Sequence, residues 1–173
     1  MSYYFAIIGT EDSPLFEYEF GTSKQGGDGN AHFGGSSSEA GVAASSARHM
    51  NQFVVHAALD VVEEIQWATS QLYLRQVDRF FSSYVSCFVT PSNNKFLLLH
   101  QPSTPGPGTT TRSSAAIGAN PTSPQTEEAI RQFFVEVYES WTKTVMNPFY
   151  RLNMEVQSPV FRAKVAAAGR KYL

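Results

Sequence analysis

Residues Tyr3 to Ile8 form an unbroken apolar run, YYFAII, closed by Gly9. Side chains along a strand point alternately to opposite faces, so a strand can be apolar at every position only where both faces of its sheet are covered. This run is therefore expected to be a covered strand rather than an edge, in a chain that layers helices on its sheet. After the turn EDSP, Leu15 to Phe20 alternates strictly, with Phe16, Tyr18 and Phe20 on one side and Glu17 and Glu19 on the other. That pattern predicts the second arm of a hairpin with one wet face.

Two stretches break up the rest. Residues 21–48 and 102–125 are rich in Gly, Ser, Ala, Thr and Pro and offer almost nothing to bury, so both are expected to be flexible insertions without structure of their own. Between them the spacing predicts a helix over His49 to Trp67, then strands over Leu74 to Phe80, Tyr84 to Thr90 and Lys95 to His100, the last two joined by the turn Pro91-Ser92-Asn93-Asn94. Past the second insertion, Thr126 is the expected cap of a helix with Glu127 and Glu128 in its first turn. Its apolar stripe of Ile130, Phe133, Phe134, Val137, Trp141 and Val145 runs until Asn147-Pro148 stops it. Ser158 caps a last helix, with Pro159 at its first position, Gly169 at its end, and Phe161 and Val165 as anchors. The order β-β-α-β-β-β-α-α makes an α+β fold, a five-stranded antiparallel sheet covered by helices on its faces. At 173 residues it suits one domain, spanning residues 1–173.

Charge and cysteine content narrow the function classes. A formal net charge of −2 argues against a nucleic-acid partner, since phosphate contacts need a concentrated positive field. Cys87 is the one cysteine, which excludes an intramolecular disulfide and multi-thiolate zinc sites and fits a reducing, cytosolic setting. MSYYFAIIG lacks the basic flank and cleavage pattern of a signal peptide, and no apolar stretch approaches the roughly 20 residues of a spanning helix. Any membrane contact is expected to be peripheral or through a partner.

Residues 51–64, NQFVVHAALDVVEE, carry a polar stripe and more apolar surface than one core needs. Met50, Phe53, Val54, Ala57, Val61 and Ile65 are expected to cover the sheet, leaving Val55, Leu59 and Val62 as a second row at helical spacing. Either a partner subunit or another part of the same chain covers that row. His56 and Asp60, four apart, share a helix face, the arrangement that half of a catalytic triad would take. No G-x-S-x-G turn supplies a nucleophile, however, and Cys87 sits mid-strand among apolar residues where a thiol is inert packing. His32, His49, His56 and His100 are scattered, with no H-E-x-x-H, and the glycines at 26, 27 and 29 lack the G-K-[ST] of a phosphate loop. No cofactor or metal is expected. Instead, Asp60, His56 and Glu63 or Glu64 read as the polar rim of an interface. MNPFY, residues 146–150, either tucks Phe149 and Tyr150 into the core or offers them as anchors to a neighbour. Thr104-Pro105 and Ser123-Pro124 are candidate phosphorylation sites.

Together YYFAIIGTEDSPLFEYEF, HMNQFVVHAALDVVEEIQW, YLRQVDRFFSSYVSCFVT, KFLLLH, FFVEVYESWTKTVMNPFY and FRAKVAAAGRKYL resemble the sedlin family, small subunits of the TRAPP vesicle-tethering complex. The resemblance implies a longin-like fold, with one helix on one sheet face and two on the other. It also implies a non-catalytic adaptor joining core and larger TRAPP subunits in ER-to-Golgi and Golgi traffic, cytoplasmic and peripheral to those membranes. The assembly is a nucleotide exchange factor for a Rab GTPase, so that partner is indirect. The family's aspartate important for the joining falls on Asp60, and the resemblance favours a partner subunit over the chain's own interior as the cover of Val55, Leu59 and Val62. Both insertions are longer than the family's loops. An alternative of another class is a small-molecule or lipid carrier, with a pocket between sheet and helices lined by Phe and Tyr.

Overall fold

The computed structural model describes residues 2–21, 39–101 and 123–173, with the backbone alone for 39–47 and 101. In chain order the elements are β1 (Ser2–Ile8), β2 (Pro14–Phe20), α1 (Glu39–Ile65), β3 (Tyr73–Phe80), β4 (Ser83–Val89), β5 (Lys95–Gln101), α2 (Pro124–Val145) and α3 (Pro159–Tyr172). The strands form one antiparallel sheet in the order β2-β1-β5-β4-β3. Phe5 of β1 lies between Tyr18 of β2 and Leu98 of β5, so the apolar run has a strand on each side as well as a layer on each face.

The two faces divide β1 by parity. Tyr3, Phe5 and Ile7 join the core beneath α2 and α3, whereas Tyr4, Ala6 and Ile8 join the core beneath α1. The first core is aromatic: Phe5 meets Phe133 edge-on at 5.3 Å, and Trp141 meets Phe96 and Phe161 in tilted or edge contacts. Rings in such arrangements align positive edges with negative faces as well as burying area. Ile130, Phe133, Phe134, Val137 and Trp141 of α2 are all buried there, as the stripe predicted, with Phe161 and Val165 of α3 and Phe96 of β5. The second core is aliphatic, and α1 supplies Val54, Val55, Ala58, Leu59 and Val62 to it.

Several boundaries differ from expectation for local reasons. Helix α1 begins at Glu39 rather than His49, so residues 39–48 of the first insertion are helical; Ala40, Ala43, Ala44 and Ala47 favour helix without needing a face to bury. Residues 22–38, with His32 and the glycines at 26, 27 and 29, and residues 102–122, with Thr104, fall outside the described residues. Ser123, not Thr126, caps α2: its Oγ accepts the Thr126 N–H at 3.2 Å, and Pro124 follows at the first helical position with φ already set. Ser158 caps α3 as expected, its Oγ accepting the Phe161 N–H.

Gly169 does not end α3, which continues to Tyr172. It sits where α3 crosses β2, and a Cβ there would run into the Phe20 ring. Close approach, not helix termination, explains this glycine. Gly169→Ala gains helix propensity of about 1 kcal/mol but incurs about 1 to 3 kcal/mol of overpacking. The expected net result is a small loss of stability, read as a lower urea midpoint and largely recovered when Phe20→Leu makes room.

Candidate functional site

Helix α1 has an outer face as well as a seated one. The seated side follows Asn51, Val54, Val55, Ala58, Leu59 and Val62, all buried. Val55, Leu59 and Val62 are therefore not an outward row. The chain's own sheet seals them, against Tyr4, Ala6, Ile8, Val85, Cys87, Leu97 and Leu99. This corrects the expectation, and the physical reason is Ala58: with it, the positions 51, 54, 55, 58, 59 and 62 repeat at three and four along a single stripe.

The surplus apolar surface is real but belongs to other residues. Phe53 is 62% exposed and Met50 54% exposed, and Ala57 is exposed with them. Val61 is half-buried and continues the same spacing. Beyond the helix end, Trp67 is also exposed. Met50, Phe53, Ala57 and Val61 belong to the set expected from the sequence to cover the sheet, and of that set Val54 does so, buried in the core under α1.

His56 and Asp60 project from this outer side, both exposed, and among the described residues no hydrogen bond or ion pair joins them. Glu64 is exposed beside them. Glu63 is committed inward: its Oε1 lies 3.5 Å from Nζ of Lys95, while Asp12 Oδ1 lies 3.0 Å from the same nitrogen. Gln52 likewise turns toward the sheet edge, donating to both carboxylate oxygens of Glu17 at 3.1 and 3.0 Å. The polar flank of α1 thus ties the helix to β2, β5 and the β1–β2 turn, while the apolar flank and Asp60 stay open.

Other candidates resolve by position. Burial pushes the Cys87 thiol well above its ordinary range, so it stays protonated and unreactive. Among the described residues no His, Cys, Asp and Glu side chains gather into a metal-holding group, and no helix is long and apolar enough to cross a membrane. MNPFY divides between its two readings: Tyr150 packs edge-on against Trp141 at 6.1 Å, but Phe149 is 85% exposed. The pocket expected between sheet and helices is filled on the α2/α3 side by interlocked rings. A groove of about 480 Å³ lies instead along the outer seam of α2 and α3, lined by Lys143, Lys164, Glu139 and the Lys171–Glu136 pair.

Comparison with known proteins matches this sequence to one family. Residues 7–171 match the model of the Sedlin family. The chain is 34% identical over 173 residues to the Transport protein particle 20 kDa subunit of Schizosaccharomyces pombe, covering all of both chains. It is 37% identical over 171 residues to the Probable trafficking protein particle complex subunit 2 of Caenorhabditis elegans, covering 99% of this chain and 96% of that one. With the Trafficking protein particle complex subunit 20 of Saccharomyces cerevisiae it shares 30% identity over 202 residues, covering 100% and 99%. With a matching family model over nearly its whole length and full-length relatives on three sides, the chain belongs to the sedlin family.

Proposed function

We propose that this chain is a non-catalytic subunit of a trafficking (TRAPP) particle, and that the outer face of α1 is where another subunit docks. The observation that carries the reading is the stripe of exposed Met50, Phe53 and Ala57, continued by half-buried Val61, on a helix whose opposite side is already seated. Burying Phe53 and Met50 on docking would yield about 2 to 4 kcal/mol between them, enough to anchor an interface but not to hold it alone. Asp60 and His56, with Glu64, form the polar rim that sets orientation and partner choice, and Glu63 contributes the half-exposed side of its Lys95 pair. The relatives' names as particle subunits support the assembly. In this reading the chain is an adaptor between core and larger subunits of a Rab exchange assembly, cytoplasmic and peripheral to ER and Golgi membranes.

Asp60→Ala and Phe53→Ser are both surface changes, expected to alter folding stability by less than about 0.5 kcal/mol. Each is expected to weaken capture of a large particle subunit in a pull-down, roughly tenfold for Phe53→Ser, while Asp78→Ala captures normally. Full recovery of that subunit by both variants would remove the docking face from α1.

A further inference from the structure

The outer stripe of α1 does not stay apolar to its end. Phe53, Ala57, Asp60 and Glu64 follow at intervals of four, three and four, the spacing of a single helix face, and all four are exposed. The chain keeps turning past Ile65: the Gln66 N–H donates to the Val62 carbonyl and the Ala68 N–H to the Ile65 carbonyl, each at 2.9 Å. Trp67, three positions beyond Glu64 and 85% exposed, therefore extends the same stripe. Two carboxylates thus lie between the apolar part of the face, Met50, Phe53 and Ala57, and an exposed indole.

The chain supplies no cation for these charges. Among the described residues neither Asp60 nor Glu64 has an ion-pair partner, and His56, one turn before Asp60, makes none with it. No lysine or arginine occurs between Arg48 and Arg75. Arg48 lies roughly 18 Å from Asp60 along the helix at the usual rise. Arg75 is taken by Glu127 of α2 at 3.1 Å, and Lys95 is buried against Asp12 and Glu63. The two carboxylates are also poorly placed for the helix itself. Like charges at i and i+4 repel, and both lie toward the negative end of the helix dipole, where the last turn holds no basic residue. Folding alone gives no reason for the pair, whereas docking does. A partner that covers Phe53 and Ala57 reaches Asp60 and Glu64 on the same face and takes them out of water, which is unfavourable unless it brings opposite charge. A second copy of the chain would offer only the same acidic stripe, with no lysine or arginine to set against it.

We propose that the occupant of this face is a cationic segment of another particle subunit, with apolar side chains on Met50 and Phe53, arginine or lysine on Asp60 and Glu64, and a guanidinium over the Trp67 ring. The proposal rests on α1 being the docking face. The test is capture of a purified large particle subunit by the immobilised full chain, at low and at high salt. High salt is expected to weaken capture about tenfold. Asp60→Asn/Glu64→Gln, which keeps the shapes and removes the charge, is expected to weaken it about tenfold at low salt and to abolish most of the salt dependence. Asp60→Arg/Glu64→Arg is expected to weaken it further, and to be recovered by one of the subunit's own Arg→Glu or Lys→Glu variants, found by changing its exposed cations one at a time. The thermal transitions stay nearly unchanged, because both side chains are exposed. If Phe53→Ser weakens capture while salt and both charge variants leave it as it was, α1 remains the docking face and its cationic occupant is overturned. If Phe53→Ser is also captured normally, the face fails and the proposal with it. Tighter capture of Asp60→Asn/Glu64→Gln would assign the face to an apolar occupant, tighter capture of Asp60→Arg/Glu64→Arg to an acidic one, and a dimer of the chain alone that Phe53→Ser dissolves to a second copy; each overturns the proposal.

Discussion

Val62→Asp is expected to move the cooperative unfolding transition to a far lower urea concentration, whereas Phe53→Asp, nine positions earlier on the same helix, leaves it nearly in place. Val62 is fully buried between α1 and the sheet, in a cluster with Leu59, Ala58, Cys87 and Leu97. A carboxylate there must either stay charged without a partner or take a proton and remain an unpaired polar group, and it also forfeits the valine's packing. The combined loss is about 4 kcal/mol or more, set against a total stability of about 5 to 15 kcal/mol for a domain. Phe53 is largely in water already, so its replacement removes little that the folded chain uses. Circular dichroism with urea titration reads the contrast. Folded Val62→Asp beside unfolded Phe53→Asp would mean that α1 presents its other side to the sheet.

That contrast marks where the sequence was readable. A strand apolar at every position has one solution, coverage on both faces, so β1 and the layering followed from YYFAII alone. The stripe of α2 was equally plain, because Phe133, Phe134, Val137 and Trp141 leave no rival apolar side. In α1 two apolar rows compete. Counting large residues favours Met50, Phe53 and Val61, whereas Ala58 decides for the other side, since a small residue lets the helix approach the sheet between Val55 and Leu59. The alanine-rich start of α1 was hidden for a related reason: helix propensity acts without an apolar pattern, and pattern was the signal being read.

The candidate site was legible as a helix but not as a face. His56 and Asp60 stand out in any sequence reading, and their exposure agrees with their polarity. Phe53 and Met50 carry no such sign, since an exposed phenylalanine looks like a core residue until the fold shows which side is occupied. Phe149 posed the same difficulty in the α2–α3 connection, where the fold turns its ring outward beside an inward Tyr150. Glu63 shows the converse. It reads as one more acid on a solvated helix, and its link to Lys95 depends on a strand more than thirty residues away.

Lys95 yields the second large effect. Its side chain is 1% exposed, held by Asp12 at 3.0 Å and Glu63 at 3.5 Å, so a cation lies under α1 with both counter-charges at the protein's edge. Asp12→Asn with Glu63→Gln keeps the shapes, and Asn tolerates the left-handed backbone at position 12, φ 56. What remains is a buried ammonium without an anion, which is expected to cost about 3 kcal/mol, at the low end for a broken buried pair because both acids are half-exposed and screened. Lys95→Met removes the cation and fits the aliphatic core around it, and is expected to fall within about 1 kcal/mol of the parent. Adding Lys95→Met to the double variant should then restore most of its lost stability, an interaction that independent surface changes would not show. Thermal unfolding of the four proteins measures it, and additive losses would mean that Asp12 and Glu63 stabilise the turn and the helix separately rather than through Lys95.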